Sequence, residues 1–194
     1  MFLFESKFDK AIRSLKSAKP SERQVGLYLL TTLKDRRALP DFRHSLVDSD
    51  ALCRNLAVQG LLSLGDTGSI PELRSALEVE GDALTRIWMR VALIAAGQRS
   101  AFFGLGDDIA TVDEDIKTDW DDALGIAEYI GSADAIDDLC ALLEHRNSTV
   151  RWIAVMALVQ VGTTNSLVCL QRALLDVDAH VRAEAAAGLG VDPT

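Results

Sequence analysis

The chain has 194 residues, 48% of them hydrophobic, and a formal net charge of −9. No apolar run reaches the roughly 18 to 20 residues that span a bilayer, so a helical membrane protein is excluded and no membrane partner is expected. Residues 1–100 carry 15 Lys/Arg against 12 Asp/Glu and residues 101–194 carry 5 against 17, net charges of +3 and −12. The second half would repel a phosphate backbone, which argues against nucleic acid as partner.

The opening residues 1–5 place an acid at position 5 and no basic stretch before an apolar segment. That does not fit a secretory signal, and a cytoplasmic protein is expected. Phe8, Ala11 and Leu15 then lie on one stripe of a helix. From Arg23 onward the chain repeats. Lys34, Gly65, Gly97, Gly131 and Gly162 are spaced 31, 32, 34 and 31 residues apart, and 11 residues before each stands Arg23, Arg54, Arg86, Trp120 or Arg151, with Arg182 continuing the column. The column Gly26, Ala57, Met89, Ala123, Ala154, Ala185 is followed four residues later by Leu30, Leu61, Leu93, Ala127, Leu158, Leu189. This is helical spacing, and it defines the first helix of each repeat.

A second stripe follows each glycine: Leu39/Phe42/Leu46, Ile70/Leu73/Leu77, Phe102/Leu105/Ile109, Ile136/Leu139/Leu143 and Leu167/Leu170/Leu174. Each repeat is therefore helix, turn, helix. Gly65, Gly97, Gly131 and Gly162 suit a left-handed helix end, and Pro40 and Pro71 suit the first turn of a second helix. Asp50, Asp82, Asn147 and Asp178 each precede the column residue by four and read as N-caps. The arginine column is expected to form a ladder of ion pairs between repeats, and Trp88, Trp120 and Trp152 to fill the core. The chain thus starts on a lone second helix, passes through five pairs and ends on a first helix near Ala179–Gly190.

The segments "DSDALCRNLAVQGLLSLGDTGSIPELRSAL" (Asp48–Leu77) and "NSTVRWIAVMALVQVGTTNSLVCLQRAL" (Asn147–Leu174) resemble the short HEAT-like repeat of bacterial proteins, including subunits of phycobilin lyases. The resemblance implies an all-α, right-handed α–α superhelix forming one domain over residues 1–194. The third repeat departs from it, because "QRSAFFGLGDDIATVDEDIKTDW" has two glycines in its second helix; an irregular surface is expected there.

No catalytic constellation stands out. His44, His145 and His180 are not followed by Glu, which removes the His-Glu ligands of the HEAT-repeat metal hydroxylases, and no phosphate-binding glycine motif occurs. No metal and no cofactor are expected. Cys53, Cys140 and Cys169 are odd in number and far apart; three buried thiols are expected, with neither a disulfide nor a zinc site. An EF-hand aligned on Asp113 would need Gly at Thr118 and Glu at Leu124.

Two surfaces remain as candidates for protein binding. The first is the inner, concave face lined by second helices, carrying Arg43, His44, Arg74, Asp107, Gln171 and Arg172. The second is the acidic segment with Asp108, Asp113, Glu114, Asp115, Asp119, Asp121 and Asp122, suited to a basic partner. A non-catalytic binding scaffold is the leading expectation, followed by an accessory subunit of a bilin lyase and a toxin-neutralising immunity protein. A monomer is favoured, since the Ala-rich final helix, the route to a homodimer, buries little area.

Overall fold

The computed structural model describes residues 6–113, 116 and 120–192, and its regular structure is helical throughout these. In chain order the helices are α1 (Lys7–Leu15), α2 (Pro20–Leu33), α3 (Leu39–Ser45), α4 (Ala51–Ser63), α5 (Ile70–Val79) and α6 (Ala83–Ala95). They continue with α7 (Leu105–Thr111), α8 (Trp120–Ile130), α9 (Ile136–Leu142), α10 (Ser148–Val161), α11 (Thr164–Ala173) and α12 (Ala179–Leu189). The chain forms two compact units, Met1–Gly97 and Gln98–Thr194. In unit 1 the first helices α2, α4 and α6 stack in order, and in unit 2 α8, α10 and α12 do the same. Each unit is an all-α solenoid stack of helix pairs.

Local chemistry explains where the helices begin. Asp50 accepts from the Cys53 N–H, Asp82 from Thr85, Asn147 from Thr149 and Val150, and Asp178 from His180 and Val181. Each cap satisfies donors that the first helical turn leaves without a partner. Pro40 and Pro71 lie in the first turns of α3 and α5, where no N–H is needed. Gly65, Gly97 and Gly162 have positive φ, as does Lys34, which ends α2 in the left-handed region.

Gly131 differs from the expectation. It is not left-handed; its lack of a side chain serves close packing, since a Cβ would lie 3.0 Å from the Ala127 carbonyl oxygen and 3.1 Å from that of Ala157. In the third repeat the second helix is broken into a 3-10 turn, Arg99–Phe102, and α7, with Gly104 at φ +82° between them. Phe102, Leu105 and Ile109 are nonetheless buried, so the stripe survives the break.

Stacking is driven by the apolar columns. Leu27, Leu30, Phe42, Ala57, Leu61, Met89, Leu139, Ala154, Leu158 and Leu170 are all 0–1% exposed, and burying each Leu or Phe contributes about 1.5–3 kcal/mol. α10 is buried from Thr149 to Leu158, so it is sandwiched inside unit 2 and needs no polar face. Gly60 on α4 lies against Phe42, and a Cβ there would overlap the ring. Gly60→Ala is expected to lower the stability of unit 1 by about 1–3 kcal/mol, read as a fall in the urea midpoint at unchanged helicity. An unchanged midpoint would show that the ring has room to move.

Candidate functional site

The arginine column is used internally. Arg23 donates Nε and Nη2 to Asp48 at 2.7 and 2.6 Å, and Nη1 to the carbonyls of Ser17 and Ala18. Arg54 grips Glu80 at 2.6 Å on both nitrogens and bonds the Asp48 carbonyl. Arg151 grips Asp176 at 2.7 and 2.8 Å and the carbonyls of His145 and Arg146. Asp48, Glu80 and Asp176 also accept the backbone N–H of the N-cap two residues later, Asp50, Asp82 and Asp178. Fork and cap N–H together occupy these carboxylates, and the rungs join successive repeats.

These contacts shift the acids. The Arg23 guanidinium holds Asp48 below the usual carboxylate range, and Arg151 does so for Asp176. Burial pushes Glu80 up, but the hydrogen bonds from Arg54 and the Asp82 N–H outweigh it and the net shift is down. A carboxyl with a depressed folded pKa stabilises the fold above its unfolded value of about 3.9 for Asp or 4.3 for Glu, and that stability is lost as pH falls through the folded value. Thermal melts should therefore be steady down to about pH 5 and drop steeply below pH 4. Asp48→Asn should start lower and decline less; a wild-type profile flat to pH 3 would contradict the rung assignment.

The second-helix positions are placed as follows. In unit 1, His44 on α3 and Arg74 on α5 are exposed, whereas Arg43 is turned to Ser69 Oγ at 2.7 Å and Asp66 at 3.2 Å. Arg43 thus braces the turn before α5. In unit 2, Asp107, Gln171 and Arg172 are exposed. Asp107 lies 3.5 Å from His145 Nε2, and Arg172 pairs with Glu144. The structure therefore gathers His44 and Arg74 in one unit and Asp107, Gln171 and Arg172 in the other.

The acidic segment is less uniform than its composition suggests. Asp121 is exposed at the start of α8, and Asp113 and Asp122 are half-buried. Asp108 corrects the expectation of a surface acid: it is 9% exposed, on the side of α7 that also carries Leu105 and Ile109. Glu114, Asp115 and Asp119 lie outside the described residues. Among the described residues no group of three or more His, Cys, Asp or Glu side chains is placed to hold a metal ion, and no helix is long and apolar enough to cross a membrane.

A family model for HEAT repeats matches residues 109–190. Among solved structures, the complex of CpcE and CpcF of phycocyanin lyase from Nostoc sp. PCC7120 is similar over 98% of this chain and 78% of that one, at 22% identity and a TM-score of 0.60. The chain is built of HEAT-like repeats. An engineered protein, at 15% identity, aligns over 96% of this chain and 98% of its own with a TM-score of 0.49. A designed armadillo repeat protein aligns over 93% and 98% at 14% identity and 0.42. No curated protein matches the chain in sequence.

Within the HEAT-like stack, Trp88 and Trp152 are 5% and 9% exposed and fill space between helices, as expected; the Trp120 side chain lies outside the described set. Two features were missed. Cys140 on α9 and Cys169 on α11 form a disulfide with a Cα–Cα distance of 5.9 Å, which corrects the expectation of three free thiols. Cys53 alone stays a buried thiol, pushed up to about 12 first by burial and then by Asp50, so it is not a nucleophile at neutral pH. The signal was present in the repeat register. Cys140 follows the stripe residue Leu139 and Cys169 precedes its counterpart Leu170, which puts the two on facing edges of successive second helices.

Proposed function

We propose that the protein is a non-catalytic scaffold that binds a basic protein partner through the second-helix positions of each unit and the acidic segment of unit 2. The observation that carries this reading is the division of charge. The buried arginines and acids are consumed in rungs, while His44, Arg74, Asp107, Asp121 and Gln171 are exposed. With residues 101–194 at net −12, encounter with a basic surface is accelerated at low ionic strength. The similar phycocyanin lyase structure is itself a complex of two chains, which supports partner binding as the use of such a stack.

The test is a pull-down from source-cell lysate at low and high salt, repeated with Asp107→Asn/Asp121→Asn/Asp122→Asn. A basic protein retained at low salt, released at high salt and lost from the variant supports the reading. Retention indifferent to both salt and variant overturns it. The second reading, an accessory subunit of a bilin lyase, is supported by the same structural likeness. Binding of an open-chain tetrapyrrole, seen as a change in its visible absorbance on mixing, would favour it, and an unchanged spectrum would count against it.

A further inference from the structure

The Cys140–Cys169 disulfide joins two helices that hold their places without it. α9 and α11 each pack on α10 and meet one another only lightly, and α10 is buried from Thr149 to Leu158. Both second helices are thus anchored independently of the crosslink. Unit 1 makes the same step with no covalent link. By register Cys140 corresponds to Arg43, one residue after the stripe position Phe42, and Cys169 to Glu72, one residue before Leu73. Arg43 is turned to Ser69 and Asp66, yet Phe42 and Leu73 are 0–1% exposed, as are Leu139 and Leu170 beside the disulfide.

The bond is open to attack from one side. Cys169 is 8% exposed, but Cys140 is half-buried. The side chains one turn beyond them, Glu144 after α9 and Arg172 on α11, are 68% and 60% exposed, so the approach from solvent is clear. The rate of thiol–disulfide exchange depends on access and on which sulfur is attacked, and the accessible residue here is Cys140. The pair can also close again. With α9 and α11 both seated on α10, the two residues stay near their Cα–Cα distance of 5.9 Å, inside the range of about 4.4–6.8 Å that a disulfide bridges.

We propose that Cys140–Cys169 is a redox switch that a dithiol opens while unit 2 stays folded, releasing α9 and α11 from one another without unseating either from α10. A thiolate of the dithiol attacks Cys140 Sγ, and the S–S bond breaks as Cys169 leaves as a thiolate and takes up a proton. The second thiol of the reagent, as its thiolate, attacks the reagent's own sulfur in the mixed disulfide and displaces Cys140, which is protonated in turn. Two electrons and two protons pass to the protein, and the dithiol ends as a disulfide. Oxidised glutathione, a disulfide oxidant, reverses the change. Asp137 on α9 and Gln171 and Arg172 on α11 are exposed, so the switch governs how far apart these surface groups stand. Its chemistry is complete within the chain and does not rest on the partner-binding reading above.

The experiment is reduction of the whole chain by dithiothreitol across a urea series that stops short of the unfolding transition, with new thiols counted by alkylation and mass. Two are expected, at a rate that rises with dithiothreitol and is indifferent to urea. Alkylation of Cys140 in Cys169→Ser should run about 10-fold or more faster than that of Cys169 in Cys140→Ser. Hydrogen exchange should quicken in α9 and α11 on reduction, stay slow in α10, and return to its first pattern with oxidised glutathione. Cys140→Ser/Cys169→Ser should fold and show the reduced pattern with or without dithiothreitol. A reduction rate that climbs with urea, exchange that quickens equally in α10, or a double variant that does not fold overturns the proposal, since each would make the bond a structural tie that opens only on unfolding.

Discussion

Replacing Arg54 with alanine is expected to cost unit 1 about 3–5 kcal/mol, because it leaves the Glu80 carboxylate buried without its partner. Glu80 is 1% exposed at its side chain and Arg54 18%, with two bonds of 2.6 Å between them. The remaining bond, from the Asp82 N–H at 2.9 Å, cannot neutralise the charge. The carboxyl should respond by taking up a proton nearer neutral pH, since burial, the largest influence on it, already pushes its pKa upward. Arg54→Ala should therefore lose less stability at pH 4.5 than at pH 7. Replacing both partners, Arg54→Met/Glu80→Leu, should recover much of the loss, since the desolvation cost goes with the charges. A chemical denaturation series on the single and double variants at the two pH values checks this; a double variant as weak as Arg54→Ala alone would show that the rung contributes net attraction, and strict additivity of the two single losses would show that the partners are not coupled.

That outcome also bears on how far the fold was legible in the chain. The N-caps, the apolar columns and the arginine column are local or strictly periodic, so Asp50, Leu61 and Arg54 declare their roles within a few residues of sequence. The acceptors of the rungs do not. Asp48, Glu80 and Asp176 stand in inter-repeat turns, and they become partners only when one repeat is laid on the next. Gly131 shows the same limit: its register matches Gly162, yet close packing on Ala157 places it there rather than a left-handed backbone. Asp108 was misplaced because a run of acids has no period that separates the inward face of α7 from the outward one. Site residues such as His44 and Gln171 are exposed, and what binds them is a property of another molecule.

The second large effect concerns the Cys140–Cys169 disulfide, which closes a loop of sequence separation 29. In the chain-entropy account a loop of that size stabilises by about 3.5 kcal/mol. The crosslink joins α9 to α11 across α10, the most fully buried helix of unit 2, so it ties together the two second helices that flank the core. Reduction, or Cys140→Ser, should lower the stability of unit 2 by that amount, read as a fall in its denaturation midpoint, and leave unit 1, whose Cys53 is a buried thiol, unchanged. The exposed pair Arg172–Glu144 ties α11 to the turn that follows α9, but a surface ion pair contributes at most about 1 kcal/mol and does not replace the covalent tie. Denaturation with and without dithiothreitol separates the two contributions when repeated on Arg172→Ala. Equal midpoints in both conditions, together with three alkylatable thiols before reduction, would return Cys140 and Cys169 to the free state that their odd number first suggested.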